Sequence, residues 1–169
     1  MRIGKLLFLF TTIGVFVVGS DSSVVAGSAT ANLVVNASVS PNCTITTAVV
    51  AFPAYDPVVA NAAANDDGTG TVTITCTKGT VATIGLGLGA NALVNQRRMK
   101  DGAGDLLNYS LYLDAGRTTI WGTASPNLLT PVAAPDKTAR PFTVYGRIPS
   151  AQDVPAGAYS DTVVATVNF

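Results

Sequence analysis

Ala158-Tyr159-Ser160-Asp161-Thr162-Val163-Val164-Ala165-Thr166-Val167-Asn168-Phe169 is the stretch that decides the class of this sequence. Tyr159, Asp161, Val163, Ala165, Val167 and Phe169 share one phase. Ser160, Thr162, Thr166 and Asn168 share the other, joined by Val164. Alternation with a period of two is the mark of a β-strand with one buried face. Asp161 is the exception on the apolar face, and the pattern places it at the solvent end of the strand. Such a strand raises the question of what covers its far edge, because an unpaired row of backbone groups is costly when buried and aggregates when exposed.

A second alternating stretch lies near the other end. Leu33, Val35, Ala37 and Val39 share a face, opposed by Asn36, Ser38 and Ser40, although Val34 breaks the polar face. Pro41 then interrupts pairing, since proline has no N–H to donate. One molecule's detached strand can complete a neighbour's sheet, and head-to-tail contacts of that kind build open filaments. The alternation by itself fits an ordinary strand within its own sheet equally well.

Between these ends the pattern predicts further strands. They fall at residues 43–52, ended by Pro53, at 71–77, 81–88 and 107–113, in a brief segment at 118–121, and at 139–148, while 97–100 reads as a short polar strand or turn. Residues 56–70, with the turn run Asp66-Asp67-Gly68, are expected as a loop. Glycines 85, 87 and 89 point to close packing or a bulge. There is no long segment of helical period, so the expectation is all-β, a sandwich or barrel.

Upstream, Arg2 and Lys5 precede an apolar run from Leu6 to Val18, followed by small residues through Ala31. This is the three-part pattern of a secretory signal peptide. The run of about 13 residues is short of the roughly 20 that span a bilayer, so no stable membrane span is expected after cleavage. The organisation expected is a signal peptide over residues 1–29 (cleaved between 26 and 31), an N-terminal strand over 30–40 and a β domain over 41–169. Cleavage would remove Arg2, Lys5 and Asp21, leaving eight basic residues from ten and nine acidic from ten.

Composition narrows the chemistry. The 169 residues are 48% hydrophobic and 12% charged, with zero formal net charge and no basic patch, which argues against nucleic acid. There is no His and no Glu. The commonest general base and metal ligand are therefore missing, and no enzyme activity, cofactor or metal is expected. The two cysteines, Cys43 and Cys76, read as a disulfide in an exported protein. A metal site would need further ligands and a catalytic thiol would want a His.

Other residues receive plain readings. Arg97, Arg98, Asp101 and Asp105 read as a solvated strand edge and turn, and Trp121 as core or interface. Gly85-Leu86-Gly87-Leu88-Gly89 lacks the Lys-Ser/Thr and helix start of a phosphate loop. Asp56, Asp66 and Asp67 lack calcium-loop spacing.

A wider resemblance rests on Pro41-Asn42-Cys43-Thr44-Ile45, Ala51-Phe52-Pro53-Ala54-Tyr55-Asp56-Pro57, Gly68 through Gly79, Arg97-Arg98-Met99, Leu106 through Tyr112, Arg117 through Gly122, Val144 through Pro149 and Val154 through Val163. In combination these segments resemble the spore coat protein U domain family, which includes subunits of archaic, Csu-type chaperone–usher pili. The resemblance implies an incomplete immunoglobulin-like sandwich. Leu33, Val35, Ala37 and Val39 would form a donor strand, and Tyr159, Val163, Ala165, Val167 and Phe169 the accepting C-terminal strand. It implies a structural subunit of a surface fimbria, exported through the periplasm, serving adhesion or biofilm formation. Its partners would be copies of itself or related pilus subunits, a periplasmic chaperone and an outer-membrane usher. A spore or cell-surface coat protein of the same fold is the alternative, and a carbohydrate-binding module a more distant one.

Overall fold

The computed structural model describes Gly19 and residues 25–169. The signal-peptide expectation falls almost wholly outside the described residues. The chain divides into two units, residues 1–37 and 38–169. In the first, residues 25–37 carry no regular secondary structure, and the same holds for residues 38–42 at the start of the second.

The second unit contains seven strands and, among the described residues, no helix. They are β1 (Cys43–Ala51), β2 (Asp66–Cys76), β3 (Thr83–Leu86), β4 (Arg97–Lys100), β5 (Leu106–Tyr112), β6 (Arg140–Ile148) and β7 (Ala165–Asn168). All pairs are antiparallel. Five strands form one sheet in the order β1-β2-β6-β5-β4, and β3 pairs with β7 in a second sheet.

The inward row of the large sheet follows from alternation. Val72, Ile74 and Cys76 of β2, Leu107, Tyr109 and Leu111 of β5, and Val144 and Ile148 of β6 are buried. The intervening threonines of β2 face outward. Trp121 ties the two sheets together. It is fully buried, its backbone N–H donates to Leu111 O at 2.8 Å, and its indole N–H donates to Ile84 O at 2.9 Å. A buried indole needs a partner for that N–H, and the β3 carbonyl supplies it.

Three segments differ from the sequence reading. Residues 66–70 are strand, because Asp66, Asp67 and Gly68 pair with Ile148, Arg147 and Gly146. Their turn-like composition reflects packing: a Cβ on Gly70 would lie 2.6 Å from a Val50 methyl. Residues 118–121 make only an isolated bridge, Tyr112 with Ile120. The C-terminal strand is regular only over residues 165–168, although hydrogen bonds continue upstream to Ser160.

Asp66 begins β2 buried opposite Ile148, and its Oδ2 has no hydrogen-bond partner among the described residues. Burial, reinforced by the charge of Asp67, raises its pKa. An acid whose folded pKa is raised holds its proton more tightly in the folded state. Its ionisation therefore costs stability as pH rises through and above the ordinary carboxylate range. Asp66→Asn is expected to raise the melting temperature by about 1–3 °C at pH 7 and by much less at pH 3. A lower melting temperature at pH 7 would contradict this reading.

Candidate functional site: an open gap between two strand edges

Hydrogen-bond parity shows which edges are free. Ile84 exchanges backbone bonds with Leu129 at 2.8 and 3.0 Å. Alternation then directs Thr83 and Gly85 toward β7, opposite Asn168 and Thr166. The same even-numbered row continues upstream. Val164 O accepts from Gly87 N, Thr162 O accepts from Ala90 N, and Ser160 exchanges two bonds with Lys100. The N–H and C=O groups of Val163, Ala165 and Val167 therefore project from the opposite edge.

β1 is built the same way. Asn42 O accepts from Thr77 N at 2.9 Å, which puts Thr44 and Thr46 on the side bonded to β2. Cys43, Ile45 and Thr47 turn their backbone groups outward. No strand among the described residues pairs with either edge.

The gap between these edges is lined by apolar side chains. A cavity of about 270 Å³ is bounded by Thr47–Val50 on one side and Thr162, Val163 and Ala165 on the other, with Val72, Leu86, Leu111 and Val144 in its floor. A second cavity of about 680 Å³ adjoins it, lined by Pro53–Val58, Val154–Gly157 and Tyr159. Val50, Phe52 and Met99 line both.

The wall formed by the C-terminal segment is pinned by polar contacts. Asp161 does not stand at a solvent end. Half-buried beside the first cavity, its Oδ1 accepts from Ala90 N at 2.9 Å, Asn91 N at 3.3 Å and Asn91 Nδ2 at 3.1 Å. Its Oδ2 accepts from the Tyr109 hydroxyl at 2.7 Å. Burial and this bond push the Tyr109 pKa well up. Gly89, at φ +90°, leaves the room that the carboxylate occupies.

Arg97 is the second correction. It is only 3% exposed, and its guanidinium donates to Gly87 O, Leu86 O and Trp121 O at 2.8, 2.9 and 2.7 Å. Desolvation lowers its pKa, opposed by Tyr109 and Asp161. It fastens β4 to the chain leaving β3. Arg98 stays half-buried with one bond to Asn91 O, and Asp101 caps its own turn through Ala103, Gly104 and Asp105.

The expected site residues are distributed as follows. Cys43 and Cys76 are bonded, joining the start of β1 to the end of β2. Tyr159 is half-buried in the second cavity, with its hydroxyl donating to Pro155 O at 2.9 Å. Val163 and Ala165 are half-buried in the first cavity, and Val167 is half-buried opposite Ile84. Phe169 is largely exposed. Leu33, Val35 and Val39 are 89%, 83% and 82% exposed, Ala37 is exposed too, and none of the four belongs to a strand.

Sequence reasoning missed Val50, Phe52 and Met99, which line both cavities, and the glycines 68, 70 and 146 beneath β1. The signal for the glycines was their spacing on the inward phase of β2 and β6. Among the described residues no group of three or more His, Cys, Asp or Glu could hold a metal.

Three comparisons bear on this site. Residues 29–166 match the Spore Coat Protein U domain. Protein U of Myxococcus xanthus is 41% identical over 163 residues, an alignment covering 85% of this chain and 87% of that protein. Among solved structures, the CsuC–CsuE chaperone–tip adhesion subunit pre-assembly complex from the archaic chaperone-usher Csu pili of Acinetobacter baumannii matches with a TM-score of 0.59 at 24% identity. That match covers 78% of this chain but only 40% of the solved one. At this identity the likeness is one of fold, and it bears out the all-β, immunoglobulin-like class. With the domain matched across most of its length and a relative 41% identical, the chain belongs to the Spore Coat Protein U domain family.

Proposed function

We propose that this chain is a structural subunit of a cell-surface fibre, exported after signal cleavage, that polymerises by strand complementation. Residues 33–39 of one molecule enter the gap between β1 and the C-terminal strand of the next. The observation that carries the reading is the pair of unpaired edges facing one apolar gap, with an exposed alternating segment of the right kind elsewhere in the chain. A strand seated there bonds to both edges, at about 1 kcal/mol per hydrogen bond. Each large apolar side chain it buries contributes roughly 1.5–3 kcal/mol, against about 1–2 kcal/mol per ordered residue. The net is modest, so persistence rests on slow release.

A periplasmic chaperone would cover the gap before polymerisation and an outer-membrane usher would direct it. The name of the solved neighbour, a chaperone–subunit pre-assembly complex, supports this part. Adhesion or biofilm formation is the use such a fibre would serve, and its role would be structural rather than enzymatic. The second reading, a surface or spore coat, is favoured by the 41% identical Protein U. A chaperone gene and an usher gene beside this one would favour the fibre.

Deleting residues 32–39 tests the mechanism. The expected result is a folded monomer giving no SDS-resistant ladder and no fibres. Unchanged ladders from the deleted chain would overturn strand donation.

A further inference from the structure

We propose that the lone subunit holds its gap partly shut, with Val50 and Phe52 as an internal plug that an incoming strand must displace. This rests on the strand-uptake reading and adds how that site is controlled.

Spacing is the first argument. A strand paired on both sides needs its neighbours about 9.4–9.8 Å apart, twice the strand spacing. Cα atoms of β1 and β7 come within 8 Å of each other. The gap is therefore too narrow, where they approach, to admit a paired strand without β1 moving outward.

Local structure supplies the hinge and the plug. β1 pairs regularly with β2 from Cys43 to Ala48, and then its register shifts. Ala48 opposes Thr71 and Ala51 opposes Thr69, so β1 advances three residues against two. Such a bulge bends the strand and re-aims its side chains. Val49 turns outward, 80% exposed, while Val50 and Phe52 pack toward the core.

They settle over the glycines of β2 and β6. A Cβ on Gly146 would lie 2.6 Å from Phe52 Cζ and 2.8 Å from a Val50 methyl. A Cβ on Gly70 would lie 2.6 Å from Val50. Both plug residues remain only half-buried and form part of the wall of each cavity. They occupy space that the side chains of a paired strand would need, and their burial is incomplete until something covers them. A gap held partly shut also blunts two sticky edges before a partner arrives.

The test uses the full chain with its own arm disabled by Val35→Asp and Val39→Asp. A fluorescent peptide of residues 30–40 is added, and uptake is followed by anisotropy. With the plug shortened, Phe52→Ala is expected to speed uptake about tenfold and Val50→Ala severalfold. Peptide uptake at an unchanged or lower rate in both would overturn the plug while leaving strand uptake standing. Folded protein that takes up no peptide in any form would overturn strand uptake and the plug with it.

Hydrogen exchange on the chain with Val50 and Phe52 intact covers the case in which Phe52→Ala fails to fold. On saturation with peptide, amides of residues 49–52 should gain exchange while those of Val163, Ala165 and Val167 lose it. Protection of 49–52 that stays level or rises would overturn the plug.

Discussion

Arg97→Ala is expected to lower the stability of the domain by about 3–5 kcal/mol and its melting temperature by roughly 10–20 °C. The residue supplies three hydrogen bonds from a charged donor to the carbonyls of Leu86, Gly87 and Trp121. Hydrogen bonds to charged groups are each worth about 1.5–3 kcal/mol, and a buried acceptor left unmatched costs about 1–3 kcal/mol. Alanine would strand the carbonyls that Arg97 now serves and leave a void beside Trp121, the residue that joins the two sheets. Arg97→Lys should recover only part of the loss, since an ammonium lacks the planar fork that reaches carbonyls on two segments. Arg98→Ala is the control. With one side-chain bond, to Asn91 O, and only partial burial, it should cost less than about 1 kcal/mol. Urea melts of the three variants decide the matter. An Arg97→Ala midpoint equal to that of Arg98→Ala would remove the clamp from the account.

Arg97 also illustrates what pattern reading misses. Beside Arg98 and Asp101 it looks like part of a solvated polar edge, because adjacent charges are usually surface charges. Only the tertiary structure reveals the ring of carbonyls that replaces water around it. Asp161 is the same case. Its phase placed it on the inward face, yet its charge argued for solvent. In the fold the phase prevails, because the turn at Gly89 brings Ala90 and Asn91 to the carboxylate and β5 brings the Tyr109 hydroxyl. Neither arrangement has a local signature, since each draws its partners from distant segments.

Strand positions, by contrast, were legible wherever alternation was clean. β5 and β6 fall close to the expected bounds, because one face of each packs on the core and period two reports that directly, whereas β4, Arg97–Lys100, has no alternation and reads as a strand or a turn. The start of β2 was hidden by Asp66, Asp67 and Gly68, residues that favour turns. Here packing overrode propensity: glycine on the inward phase makes room for Val50 and Phe52. The bulge in β1 and the two facing edges are properties of register, which single-strand periodicity does not encode. The gap itself was therefore inferred from family resemblance rather than from spacing.

Replacing both cysteines, Cys43→Ser with Cys76→Ser, is expected to lower stability by about 3–4 kcal/mol and to reduce the yield of exported subunit sharply. The bond closes a loop across 33 positions of sequence, and the chain-entropy model gives that figure for a loop of this length. Its place in the fold sharpens the expectation. Cys43 and Cys76 face each other in register at the first position of β1 and the last of β2. β1 is an edge strand, held on one side only, and its far end is weakened by the bulge after Ala48. The disulfide anchors the end that remains. Without it β1 would fray from Cys43 onward, enlarging the very gap that a strand is proposed to fill. The double variant should therefore show faster hydrogen exchange first at Thr44 and Thr46, whose bonds to β2 are then unprotected, and later elsewhere. It should also aggregate more readily, because a frayed β1 would expose its own Ile45 and uncover Val167 of β7. Equal melting temperatures and equal yields in oxidised and double-serine forms would refute the structural role of the bond. Fraying that began at β5 or β6 instead of β1 would refute its role as the anchor of the gap.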